Sequence, residues 1–187
     1  MSQDDKNIVT TIENVKFFMR ELGSMLSTVD GALKEKGWDL YTGSTLGGFS
    51  GAISNPFMWV PSYIFRFYYK KDHPNYVGFC SVILCSPGDN IEMEECLVSA
   101  GMLKYPEGFD VTDNNNWQYD YAYSHLKMSD RKNDGSLSFS DKERLWQNKD
   151  EDFKIVTFAY PLSEISDQLA LNEKVINKFL SLRDQLG

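Results

Sequence analysis

Long apolar runs are missing from this chain. The longest, Val77 to Cys85, spans nine residues and is interrupted by Gly78 and Ser81, less than half of the ~20 apolar residues that a membrane-crossing helix needs. No membrane association is therefore expected. The first residues, MSQDDKNIVTT, hold two acids and no apolar stretch, so they do not read as a secretory signal, and a cytoplasmic location is the expectation. Cysteine is equally scarce. Cys80, Cys85 and Cys96 cannot all pair, all lie in apolar runs, and read as buried reduced thiols. There is no Cys-x-x-Cys pair. Cys80 and Cys85, five residues apart on one strand, point to opposite faces and do not share an ion. The expectation is no metal and no cofactor.

Positive charge is in short supply. The 187 residues carry 19 Lys and Arg against 27 Asp and Glu, a net charge of −8, which argues against a nucleic-acid backbone as partner. Histidine occurs only at His73 and His125, and neither has a partner at metal-binding or catalytic spacing. What is present is the balance of a folded domain, 42 % hydrophobic and 25 % charged.

Apolar residues at Ile8, Ile12, Val15, Met19, Leu22, Leu26, Val29 and Leu33 alternate at spacings of four and three, the mark of one helix face. Phe18 and Met25 widen the stripe. A helix from about Asp5 to Lys36 follows, with Gly37 as its left-handed stop and Gly23 as the place of a kink or close helix contact. A second stripe, Leu171, Val175, Phe179, Leu182 and Leu186, defines a C-terminal helix capped by Ser163 or Ser166. All six prolines fall between the two helices.

The middle reads as sheet. Ser62–Lys70 alternates aromatic and other residues, Tyr76–Ser86 and Glu95–Tyr105 follow across short turns, and Lys154–Tyr160 is a fourth strand, with Trp38–Thr45 as a weak fifth. Connections this short permit only antiparallel pairing. The expected fold is one α+β domain over residues 1–187, an antiparallel sheet of four to six strands. Residues 1–37 form the N-terminal helix, 38–161 the sheet and loops, and 162–187 the C-terminal helix, both helices on one face.

Several stretches approach motifs and fall short. Asp130–Asp141 resembles a calcium loop, but Lys132 sits where a ligand oxygen is needed and Asp141 replaces the bidentate Glu. A turn is the better reading, followed by a capping box at Ser140–Glu143 that opens a short helix through Trp146. The Gly- and Ser-rich Tyr41–Ser54 has phosphate-loop spacing without the lysine. Its Gly48-Phe-Ser50-Gly-Ala52 approaches a nucleophile elbow without a partner base. It reads as a loop covering an edge or a pocket. Asp152-Phe-Lys154 is a faint nuclease-like cue.

Two candidate surfaces remain. Arg66, mid-strand beside Ile64 and Tyr68, needs a carboxylate, expected from the third strand or the acidic segment. A salt bridge across the sheet, or a charge on a solvated sheet face, is the leading reading. The alternative is a small-molecule pocket formed by Arg66, Trp59, Tyr68 and Ser50 under the Gly-rich loop. Between Asp72 and Leu126 lie nine acids and one base, so the whole net charge belongs to this segment. Glu92, Glu94, Glu95, Asp113, Trp117, Tyr119 and Tyr121 then suit a basic protein partner. The chain is accordingly expected to be a binding or regulatory module, ahead of a small-molecule sensor and of a hydrolytic enzyme. The long stripe of the first helix adds an expectation of homodimerisation through that helix.

Overall fold

A computed structural model describes residues 3–41, 46–47, 51–54, 60–84, 95–110, 143–147 and 154–186. Its chain order is α1 (Gln3–Glu35), β1 (Asp39–Leu40), β2 (Leu46–Gly47), β3 (Tyr63–Lys70), β4 (His73–Ile83), β5 (Leu97–Lys104), β6 (Glu143–Gln147) and β7 (Lys154–Pro161), then a C-terminal helical segment. The strands form one antiparallel sheet in the order β1-β3-β4-β5-β7-β6, with β2 also on β3. The α+β architecture expected from the sequence is the one observed. Among the described residues five strands have five or more residues, and β1 and β2 are two-residue additions to the edge of β3. Of the Gly-rich stretch, Leu46 pairs with Ile64 and Gly47 with Tyr63, while residues 42–45 and 48–50 lie outside the described residues.

Helix α1 stops as its sequence dictates. Gly37 adopts φ +80°, its N–H reaches the carbonyl of Lys34, and the N–H of Trp38 reaches that of Leu33, both at 3.0 Å. This is the left-handed stop in which a glycine lets two terminal carbonyls find donors. The helix is unbroken through Gly23, where an added Cβ would meet nothing within 4 Å. The expected close helix contact at Gly23 is thus not there.

The C-terminal segment is helical over Gln168–Ala170, π-helical over Leu171–Ile176, and α-helical again over Asn177–Ser181 and Arg183–Leu186. Its cap is Asp167 rather than a serine, the carboxylate accepting from the N–H of Ala170 at 2.8 Å. One expected helix is a strand. Glu143–Gln147 pairs antiparallel with Lys154–Phe158 of β7, so a sheet edge prevails over the capping-box signal.

Both helices pack on one face of the sheet. Leu22, Leu26, Val29 and Leu33 of α1 and Leu171, Val175, Phe179, Leu182 and Leu186 of the C-terminal segment meet Ile64, Tyr68, Cys80, Val82, Val98, Met102 and Phe158. Phe179 sits directly over Gly78, where a Cβ would overlap its ring. It makes edge contacts with Trp38 and Tyr68, at centroid distances of 5.3 and 6.1 Å. The opposite face is buried as well, through Phe65, Phe67, Phe79, Leu97, Leu103 and Ile155. On that face Thr157 Oγ1 donates to the carbonyl of Ala100 at 3.2 Å. Among the described residues no helix is long and apolar enough to cross a membrane.

Candidate functional site

The stripe on α1 is continuous in sequence but divided in space. From Leu22 onward its residues are at most 3 % exposed. Before Leu22 no residue of α1 is buried: Ile8 is 62 % exposed, Ile12 51 %, Val15 41 % and Phe18 38 %, with Val9 and Phe17 also open. The cause is length. Thirty-three residues of helix extend about 50 Å, whereas strands of eight to eleven residues reach about 27–37 Å. The sheet covers only the second half of the helix; in the overhanging first half Met19 packs partly against the core, and Ile8, Ile12 and Val15 lie uncovered by the described residues. Exposed apolar surface that is contiguous over three turns is uncommon on soluble domains and marks contact surfaces.

Where the overhang meets the body, a cavity of about 350 Å³ opens between α1 and the segment following β7. Phe18, Leu22, Met25, Leu162, Ile165 and Leu171 supply its apolar walls, and Glu21, Asp167 and Gln168 stand among its polar residues. Phe18 belongs to both the stripe and the cavity, so the two make one surface.

Arg66 lies elsewhere. Its Nε meets Oδ2 of Asp30 at 3.3 Å, with both side chains about one-fifth exposed, and the Tyr68 hydroxyl donates to Oδ1 of the same carboxylate at 2.8 Å. The carboxylate thus comes from α1, not from the third strand or the acidic segment. Asp30 follows Val29 on the border of the buried stripe, and that position beside an apolar seam is the signal by which the sequence could have nominated it. Nη1 of Arg66 is buried and has no hydrogen-bond partner among the described residues. Cys80, the register partner of Arg66, is fully buried, and that burial pushes its thiol up to about 12. Burial also raises the Tyr68 phenol far above its usual value, with the charge fields of Cys80 and Asp30 adding to it. These groups stay neutral and structural at ordinary pH.

Of the other residues named from the sequence, Trp59, Ser50, Glu92, Glu94, Asp113, Trp117, Tyr119 and Tyr121 lie outside the described residues, as do Cys85, His125 and the Asp130–Asp141 stretch. Glu95 is described and exposed. Arg66 and Tyr68 come together, but neither lines the cavity beside α1. His73 opens β4, where Arg183 Nη2 donates to its Nε2 at 2.7 Å. That contact joins the β3–β4 hairpin to the C-terminal segment. Among the described residues no three His, Cys, Asp or Glu side chains gather in a metal-binding arrangement.

Comparison with family models, with curated proteins and with solved structures finds no match to this chain.

Proposed function

We propose that this chain is a protein-binding module whose docking surface is the overhanging first half of α1, extended by the cavity beside Phe18. The observation that carries this reading is the change in burial at Leu22: one stripe of identical spacing is core on one side of that residue and open on the other. A helix face exposing Ile8, Ile12, Val15 and Phe18 gains by covering, since each fully buried side chain of this kind is worth about 1.5–3 kcal/mol relative to exposure. A cavity with apolar walls and carboxylates at Glu21 and Asp167 is chemically suited to an apolar residue flanked by basic ones. That keeps a basic protein among the fitting partners. The acidic segment that holds Glu92, Glu94 and Glu95 is a separate candidate, on which this reading does not depend.

Photo-crosslinking tests the reading. A benzophenone amino acid at Val9 or Thr11, which flank the stripe, is expected to give intermolecular adducts in the full chain. The same probe at Lys36, at the far end of the helix, is expected to give few. Adducts confined to the chain itself at both positions would show that the stripe is covered internally and would overturn the proposal.

A further inference from the structure

We infer that the overhang of α1 pairs with the same segment of a second copy in antiparallel orientation, with Ile12 of one chain opposite Val15 of the other; this rests on the reading of the stripe as a docking surface. The spacing supplies the seam. Ile8 and Val15 occupy one set of heptad seam positions, Ile12 and Met19 the other, and antiparallel helices bring one set against the other. Centring the pair between Glu13 and Asn14 places Ile8 on Met19 and Ile12 on Val15, twice over by symmetry, with Thr11 beside Phe18 and Val9 beside Lys16.

Charge and shape select this orientation. In a parallel, in-register pair Asp5 would face Asp5 across the seam, a like-charge contact at a seam position. The antiparallel pair instead leaves Asp5 beyond the end of the partner's open seam, brings Lys6 level with Glu21, and aligns no like charges. The bodies impose the same choice. Leu22, Leu26, Val29 and Leu33 are already committed to the sheet and Met19 is partly buried against the same core, so the open seam is Ile8, Ile12 and Val15, with the exposed part of Met19 at its end. Antiparallel pairing over that stretch leaves one body at each end, whereas parallel pairing drives both bodies to the same side. The overlap of residues 6–21 is about 24 Å long. Two helices in contact over that length cover on the order of 1,000 Å², the lower bound for a specific interface. A reversible dimer is the consequence.

Sedimentation velocity on the full chain, combined with disulfide trapping, tests the pairing. The expected result is a concentration-dependent dimer, whose dissociation constant rises at least about 100-fold in Ile12→Asp/Val15→Asp while circular dichroism and thermal unfolding, read at a concentration where the unsubstituted chain is monomeric, stay unchanged. With Cys85 and Cys96 replaced by Ser, an equimolar mixture of Ile8→Cys and Met19→Cys chains should form the mixed disulfide, and Ile8→Cys alone should not. Self-crosslinking of Ile8→Cys would establish a parallel pair and overturn the inference. A monomer at every concentration overturns it too, and the double variant then separates two cases. Unchanged stability leaves the stripe as a surface for a different protein, whereas loss of the fold shows it to be internally covered and removes the docking reading as well.

Discussion

Tyr68 and Asp30 join the sheet to the long helix through a single hydrogen bond: the phenol on β3 donates at 2.8 Å to a carboxylate that Arg66 holds from the same strand. Asp30 lies within the half of α1 that packs on the sheet, so this bond fixes the helix at the part from which the overhang projects. Removing the carboxylate by Asp30→Ala strands both the guanidinium and the hydroxyl, and a loss of about 3 kcal/mol is expected in urea unfolding. Tyr68→Phe removes one bond and should cost about 1 kcal/mol alone. In the Asp30→Ala background the same change should cost less, the coupling expected of groups sharing one partner.

Alkali should weaken the fold in a defined window. The Cys80 thiol is raised from 9.0 to about 12 by burial, and the Tyr68 phenol is raised from 10.0 for the same leading reason. Both are acids that stay protonated in the folded chain and ionise in the unfolded one. Their contribution is therefore intact below pH 9 and is lost as pH climbs above it, at about 1.4 kcal/mol per pH unit for each group once its unfolded form has titrated. Urea midpoints taken between pH 8 and pH 11 should fall, and Cys80→Ala should flatten the part of the decline that begins near pH 9.

Two glycines should respond oppositely to alanine. At Gly78 the new methyl runs into the Phe179 ring, and an overpacking loss of about 1–3 kcal/mol is expected. Phe179→Leu in the Gly78→Ala background should recover part of that loss. Gly23 sits mid-helix with nothing within 4 Å of a Cβ, so Gly23→Ala should stabilise by up to about 1 kcal/mol. Thermal unfolding of the three variants checks both signs.

Local chemistry made much of this fold legible. The stripe from Ile8 to Leu33 marks α1, Gly37 marks its end, and the alternation of Tyr63, Phe65, Phe67 and Tyr69 marks the buried face of β3 opposite the helices. What stayed hidden depends on distance in space. Glu143–Gln147 carries a helix-opening signal and becomes a strand because β7 offers an unpaired edge. Asp30 becomes the partner of Arg66 only once α1 lies on the sheet. The overhang is hidden for a similar reason: Ile12 and Leu26 look alike in sequence, and only the reach of the sheet decides which is covered.

Hydrogen exchange along α1, followed as the protein is concentrated, tests the docking surface most directly. In dilute solution, amides of residues 22–35 should exchange slowly and those of residues 3–21 rapidly, since only the former pack on the sheet. Raising the concentration, or adding a partner trapped at Thr11, should slow exchange over residues 8–19 and leave residues 22–35 unchanged. Slow exchange of residues 3–21 at the lowest concentration, independent of any second chain, would contradict the account.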